Sequence, residues 1–187
     1  ESSEGVVGLS HFVDTFQVDY NTLNTEFART GYGFTPKLVF LMTTGIDSAT
    51  DAVSAANHMN RNFAVATGAA GRMNVFTNSQ DASASSDTSH DQFDSSVLAM
   101  SDSGATVLGL IDLKSLDADG LTLIVDDAFA GTMRVTVLAL GGSDIEQTYM
   151  GQIAEPGAIG AVNYDDAGFR PDCIIFITQN LRTIANL

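Results

Sequence analysis

The sequence predicts an all-β protein, an antiparallel β-sandwich of jelly-roll-like type. Short apolar runs recur at close intervals and are separated by Gly-, Asp- and Ser-rich turns. Helical periodicity is almost absent. The run at 37–43, Lys-Leu-Val-Phe-Leu-Met-Thr, is apolar at both odd and even positions, as expected of a central strand covered on both sides. With 187 residues, 44% of them apolar, the chain can bury the core of one ordinary domain, or of one domain and part of another.

Taken in order, residues 16–18 alternate, with Phe16 and Val18 on one face. Residues 21–25 have turn chemistry. Gly33-Phe34-Thr35-Pro36 is a turn whose proline sets the entry to the strand at 37–43. Residues 45–62 admit either a weak helix, through Ala49, Ala52, Val53 and Ala56, or a loop with a helical turn. Residues 62–68 and 72–77 read as a hairpin turning at Gly68–Gly71. The Ser/Asp-rich stretch 78–94 offers no apolar face and is expected to be a long exposed loop. Strands follow at 96–100, 106–113, 121–125 and 132–140. In the last of these Met133, Val135 and Val137 share one face, opposite Arg134 and Thr136.

The Gly-Phe-x-Pro station at 33–36 returns as Gly168-Phe169-Arg170-Pro171, again followed by an apolar run, Cys173-Ile174-Ile175-Phe176-Ile177. We read this as one structural station in two successive copies of a domain. The division expected is a β-sandwich over 1–143, then a linker and the opening strands of an incomplete second unit over 144–187, with the boundary at Gly141-Gly142-Ser143-Asp144. The second copy would belong to a longer chain or complete a sheet elsewhere by strand addition.

The 8 Lys+Arg are scattered singly against 23 Asp+Glu, for a net charge of −15. Binding nucleic acid needs clustered cations, so that ligand class is not expected. The acidity fits solubility, or a salty medium where screening relieves self-repulsion. No apolar run reaches the ~20 residues of a membrane span, so no insertion is expected. The single cysteine, Cys173, has no disulfide partner in the chain and reads as a small core residue within its apolar run.

Chemistry has few candidates. Asp117-Ala118-Asp119-Gly120 with Asp126 beyond spaces carboxylates as a hard-cation loop does. Asp117, Asp119 and Asp126 are therefore a candidate Ca²⁺ site. The competing reading is a tight turn joining two strands. Ser115 where a first ligand belongs, and Asp where a bidentate Glu is usual, favour the turn. His11, His58 and His90 lack metal-ligand spacing. There is no nucleophile elbow, phosphate loop or dinucleotide fingerprint. With no Trp and 4 Tyr, sugar-stacking platforms are scarce. No catalytic or cofactor-binding residue is assigned.

These stations resemble a family of repeated β-sandwich domains in virion proteins of tailed viruses and prophages. The resemblance lies in Gly33-Phe34-Thr35-Pro36-Lys37-Leu38-Val39-Phe40, Asp117-Ala118-Asp119-Gly120-Leu121-Thr122-Leu123, Leu138-Ala139-Leu140-Gly141-Gly142 and the restart at 168–172. Leu121 stands where the family pattern has an aromatic after Asp-Gly. The resemblance implies a non-enzymatic capsid-surface, spike or tail-fibre component. It would be located on the virion or extracellularly, repeated and homo-oligomeric. Its partners would be other virion proteins, copies of itself and a host-surface glycan or receptor. The alternative from another class is a secreted glycan-binding or glycan-cleaving module.

Overall fold

The structure, a computed structural model, describes residues 8–19, 21–44, 58–80, 87–101, 106–153, 161 and 163–177. It is an antiparallel β-sandwich. Ten strands run β1 (Leu9–Asp19), β2 (Glu26–Thr30), β3 (Pro36–Thr43), β4 (His58–Ala66), β5 (Arg72–Gln80), β6 (Asp87–Phe93), β7 (Leu98–Ser101), β8 (Val107–Asp117), β9 (Gly120–Asp127) and β10 (Thr132–Gly142). A six-stranded sheet, β1-β10-β3-β4-β5-β6, packs on a four-stranded sheet, β2-β9-β8-β7. First strands pair with last, β1 with β10 and β2 with β9, so the chain ends its fold wrapped around its beginning. The middle of each sheet is a meander, β3 to β6 and β7 to β9.

Alternation explains the strands. In β10, Met133, Val135, Val137 and Ala139 are all fully buried, while the residues between them are only partly covered. Val39 and Leu41 of β3, Leu121, Leu123 and Val125 of β9, and Ile111 and Leu113 of β8 complete the same core. Burying side chains of this size stabilises by about 1.5–3 kcal/mol each.

The station before β3 is held by the β8–β9 hairpin. Asp119 accepts backbone hydrogen bonds from Gly31 at 2.9 Å and Gly33 at 2.6 Å, and its own carbonyl accepts from the Tyr32 amide. Gly31 and Gly33 both have positive φ, 92° and 77°, which glycine adopts without a Cβ clash. Gly120 is required for a different reason: a Cβ there would lie 1.8 Å from the Arg29 carbonyl oxygen across the β2–β9 ladder.

Asparagines join the two sheets on the β4–β5 side. Asn62 donates to the Ala99 carbonyl at 3.1 Å and accepts from the Ala99 amide at 2.8 Å, and so replaces a strand partner for β7. Asn74 donates to the same Asn62 oxygen, and Asn78 donates to the Ser101 carbonyl at 2.6 Å. All three asparagines are buried. Buried amides stabilise only when paired; here β7 pairs Asn62 and Asn78, and Asn62 in turn pairs Asn74.

Three expectations change. Residues 78–80 and 87–93 are strand, not loop: β6 pairs along β5 from Asn74↔Phe93 to Gln80↔Asp87. A strand at a sheet edge needs no apolar face to form, because the ladder satisfies its backbone. Of the stretch 45–62, residues 58–62 open β4 rather than a helix or loop, and 45–57 lie outside the described residues. Cys173 is exposed, because no described second sheet covers its run. Ile174, Ile175 and Phe176 beside it are 57–69% exposed. Gly168 does keep the left-handed φ of its counterpart, 70° against 77° at Gly33, yet residues 163–177 join neither sheet.

Replacing Asn62 by Ala strands the buried Ala99 amide and carbonyl together. We expect a loss of about 2–3 kcal/mol in urea unfolding. A loss below about 1 kcal/mol would show that water replaces the side chain and that the asparagine does not join the sheets.

Candidate interaction surface

The six-stranded sheet has a second face, and it is also apolar. Pairing places Val13, Leu138, Phe40, Val65 and Met73 in one row across β1, β10, β3, β4 and β5, pointing away from the core. The next row holds Thr15, Thr136, Met42, Phe63 and Val75, and a shorter row on the other side holds His11, Leu140 and Leu38. Val13 is 60% exposed and Met42 40%. Phe40 on this face is itself buried, its ring 6.2 Å from that of Phe63. The sequence signal for this face is the run at 37–43, apolar at both phases.

Charge is distributed with equal asymmetry. The outward positions of β10, β3, β4 and β5 carry no Asp or Glu, and on β1 and β6 the described exception is Asp19 at the end of β1. Arg61, Arg134, His11 and His90 stand toward the margins. The outer face of the four-stranded sheet is the opposite, with Glu26 and Asp112 flanking Ile124. Lys114 pairs with Glu26 and Arg72 with Asp112. Burial raises the Asp112 carboxyl above the ordinary range, opposed by the Arg72 guanidinium.

Two of the three candidate calcium ligands, Asp117 and Asp119, carry hydrogen bonds within the fold. Asp117 accepts hydroxyl hydrogen bonds from Ser115 and Thr122, each at 2.7 Å. Asp119 clamps Gly31 and Gly33, and hydrogen bonds from those amides, Gly33 first, lower its carboxyl below the usual range. Asp126 lies toward the opposite end of β9 from the 117–120 turn. Among the described residues no group of His, Cys, Asp and Glu is gathered to hold a metal. Sequence reasoning singled out Asp119 for a cation, and the structure uses it on backbone amides. The clue was Gly31-x-Gly33, whose bare amides need an acceptor.

A shallow groove of about 350 Å³ opens beside the station, lined by Ser10, Gly33, Phe34, Thr35, Lys37, Gly142 and Ser143. Its one cation, Lys37, donates to the Ile145 carbonyl, and its lining holds no carboxylate. Of the histidines, His11 and His90 sit on the outer face of the large sheet, where His90 hydrogen-bonds Thr77 at 3.2 Å, and His58 is the first residue of β4. Comparison with protein-family models, curated proteins and solved structures finds no match.

The lowered Asp119 pKa fixes a pH dependence. Its contribution to stability is full above the unfolded carboxylate value of ~3.9 and is lost as the pH falls through the lower folded value. Asp119→Asn is therefore expected to melt below the wild type at about pH 6, with the gap closing toward about pH 2. A gap independent of pH would show that the clamp does not depend on ionisation. Added Ca²⁺ is expected to leave the melting temperature unchanged, since Asp117 and Asp119 are already hydrogen-bonded and Asp126 lies toward the other end of β9; a rise would restore the cation loop.

Proposed function

We propose that this chain is a non-enzymatic structural module of a virion, a capsid-surface, spike or tail-fibre component that works through protein–protein contacts. The observation that carries the reading is the acid-poor apolar outer face of the six-stranded sheet. Contiguous apolar surface of this kind marks contact surfaces in soluble proteins. The sandwich and the two Gly-Phe-x-Pro stations, each with a left-handed glycine, support the likeness to repeated virion domains. Other virion proteins, copies of the same chain and a host receptor or glycan are its partner classes. The glycan-cleaving alternative finds no acid pair in the groove beside Lys37, and a single aromatic, Phe34, for stacking.

The deciding measurement is mass spectrometry of particles purified by density gradient from the source culture. Peptides of this chain are expected to co-sediment at fixed stoichiometry with the major particle proteins. Their presence only in the soluble secreted fraction would overturn the virion reading in favour of a secreted module.

A further inference from the structure

We propose that the outer face of the six-stranded sheet is a homodimer interface, on which two copies of this chain pack sheet to sheet. The proposal rests on the reading of the chain as a contact-forming module, and it names the partner and the surface.

Area is the first argument. From Val13 to Met73 the apolar row crosses four strand spacings, ~19 Å, and from Leu38 to Met42 it extends ~14 Å along the strands. With side-chain rims included the patch is roughly 500 Å², at the upper range for a monomer's largest patch. Contact with the flanking threonines and arginines brings it toward the ~800 Å² per partner of a standard interface. The apolar segment at 173–177 of the same chain cannot be the cover. One strand is ~4.8 Å wide, about a quarter of the row it would have to span.

Charge is the second argument, and it selects a second copy over other partners. At −15 this chain repels its own kind over most of its surface. The middle strands of the large sheet are where two copies can meet without setting carboxylate against carboxylate. Elsewhere exposed carboxylates such as Asp126 and Asp127 keep copies apart, so the same composition that prevents random association directs it to one face. Such an interface is self-complementary and closes at two copies by a two-fold axis. The two sheets would stack ~10 Å apart with their strands near −30°, the ordinary aligned packing.

The test is sedimentation velocity on the full chain across protein concentration and at low and high salt, with thermal unfolding as the fold control. Val13→Asp and Met42→Asp place an acid on the face. Leu23→Asp, at a 52% exposed position in the β1–β2 turn, adds the same charge off it. The wild type and Leu23→Asp are expected to dimerise, more tightly as salt screens the remaining repulsion. Val13→Asp and Met42→Asp are expected to weaken the dimer by roughly a hundredfold or more while melting like the wild type. If Met42→Asp unfolds, Val13→Asp at the edge strand decides. A wild type that stays monomeric in high salt, or a dimer that withstands Val13→Asp, overturns the proposal. Either result leaves the particle assay to judge the virion reading separately.

Discussion

Val137, Leu41 and Ala64 stand in one row across β10, β3 and β4, each fully buried against the second sheet. One residue further along, Leu138, Phe40 and Val65 form a row on the opposite side of the same backbone. A strand turns successive side chains to opposite faces, so a run apolar at both phases needs two covering layers. The four-stranded sheet supplies one. The rest of the architecture follows from that asymmetry: one face packed, one face apolar and with no second layer on it among the described residues, and charge displaced to wherever neither rule applies.

The packed face is closed differently at its two margins, because four strands cannot cover six. On the β1–β2 side an ion pair crosses between the sheets, with Arg29 bound to Asp14 at 2.8 and 3.2 Å and its guanidinium 4.6 Å above the Phe16 ring. Hydrogen bonding to Asp14 raises the Arg29 pKa against the lowering effect of burial. Tyr32 donates to the same carboxylate at 3.4 Å and stacks on Phe12, its pKa raised by burial and then by the Asp14 charge. On the β4–β5 side the inward row changes from Ala64 to Asn74, and from Thr43 to Asn62. There the amides reach the backbone of short β7 directly. Apolar packing holds the centre, and polar side chains do the work of missing strands at the rim.

Much of this was legible in the alternation. Met133, Val135 and Val137 against Arg134 and Thr136 placed β10 correctly, and Phe16 with Val18 placed the inward face of β1. What was hidden is polar structure. Ser89, His90 and Asp91 have the composition of a loop, and only the ladder with β5 makes them a strand. Asn78 began the expected loop and instead lies on β5, buried against β7, since an amide's burial depends on a partner that lies far away in the chain. Asp119 resembled a cation ligand because spacing cannot distinguish a metal from two backbone amides. Cys173 read as core because apolar neighbours do not reveal whether a sheet covers them.

The strand edges explain why contact should pass through a face. β6 is short and polar, Asp-Thr-Ser-His-Asp-Gln-Phe, and β7 has only four residues. β2 carries Glu26 and Arg29 and has only five. Such edges discourage a further strand from pairing, the usual protection of β-proteins against open-ended association. β1 is long enough to pair, yet it ends in Asp19 and shares its inward Asp14 with Arg29. Heterologous pairing of one edge with a different edge extends a sheet without limit, whereas face packing by a two-fold axis stops at two copies. Protected edges, an acid-poor apolar face and acids elsewhere together support the proposed closed, face-to-face assembly. The face it would use is the one to which Phe40 and Met42 point, set by the same register that buries Leu41 between them.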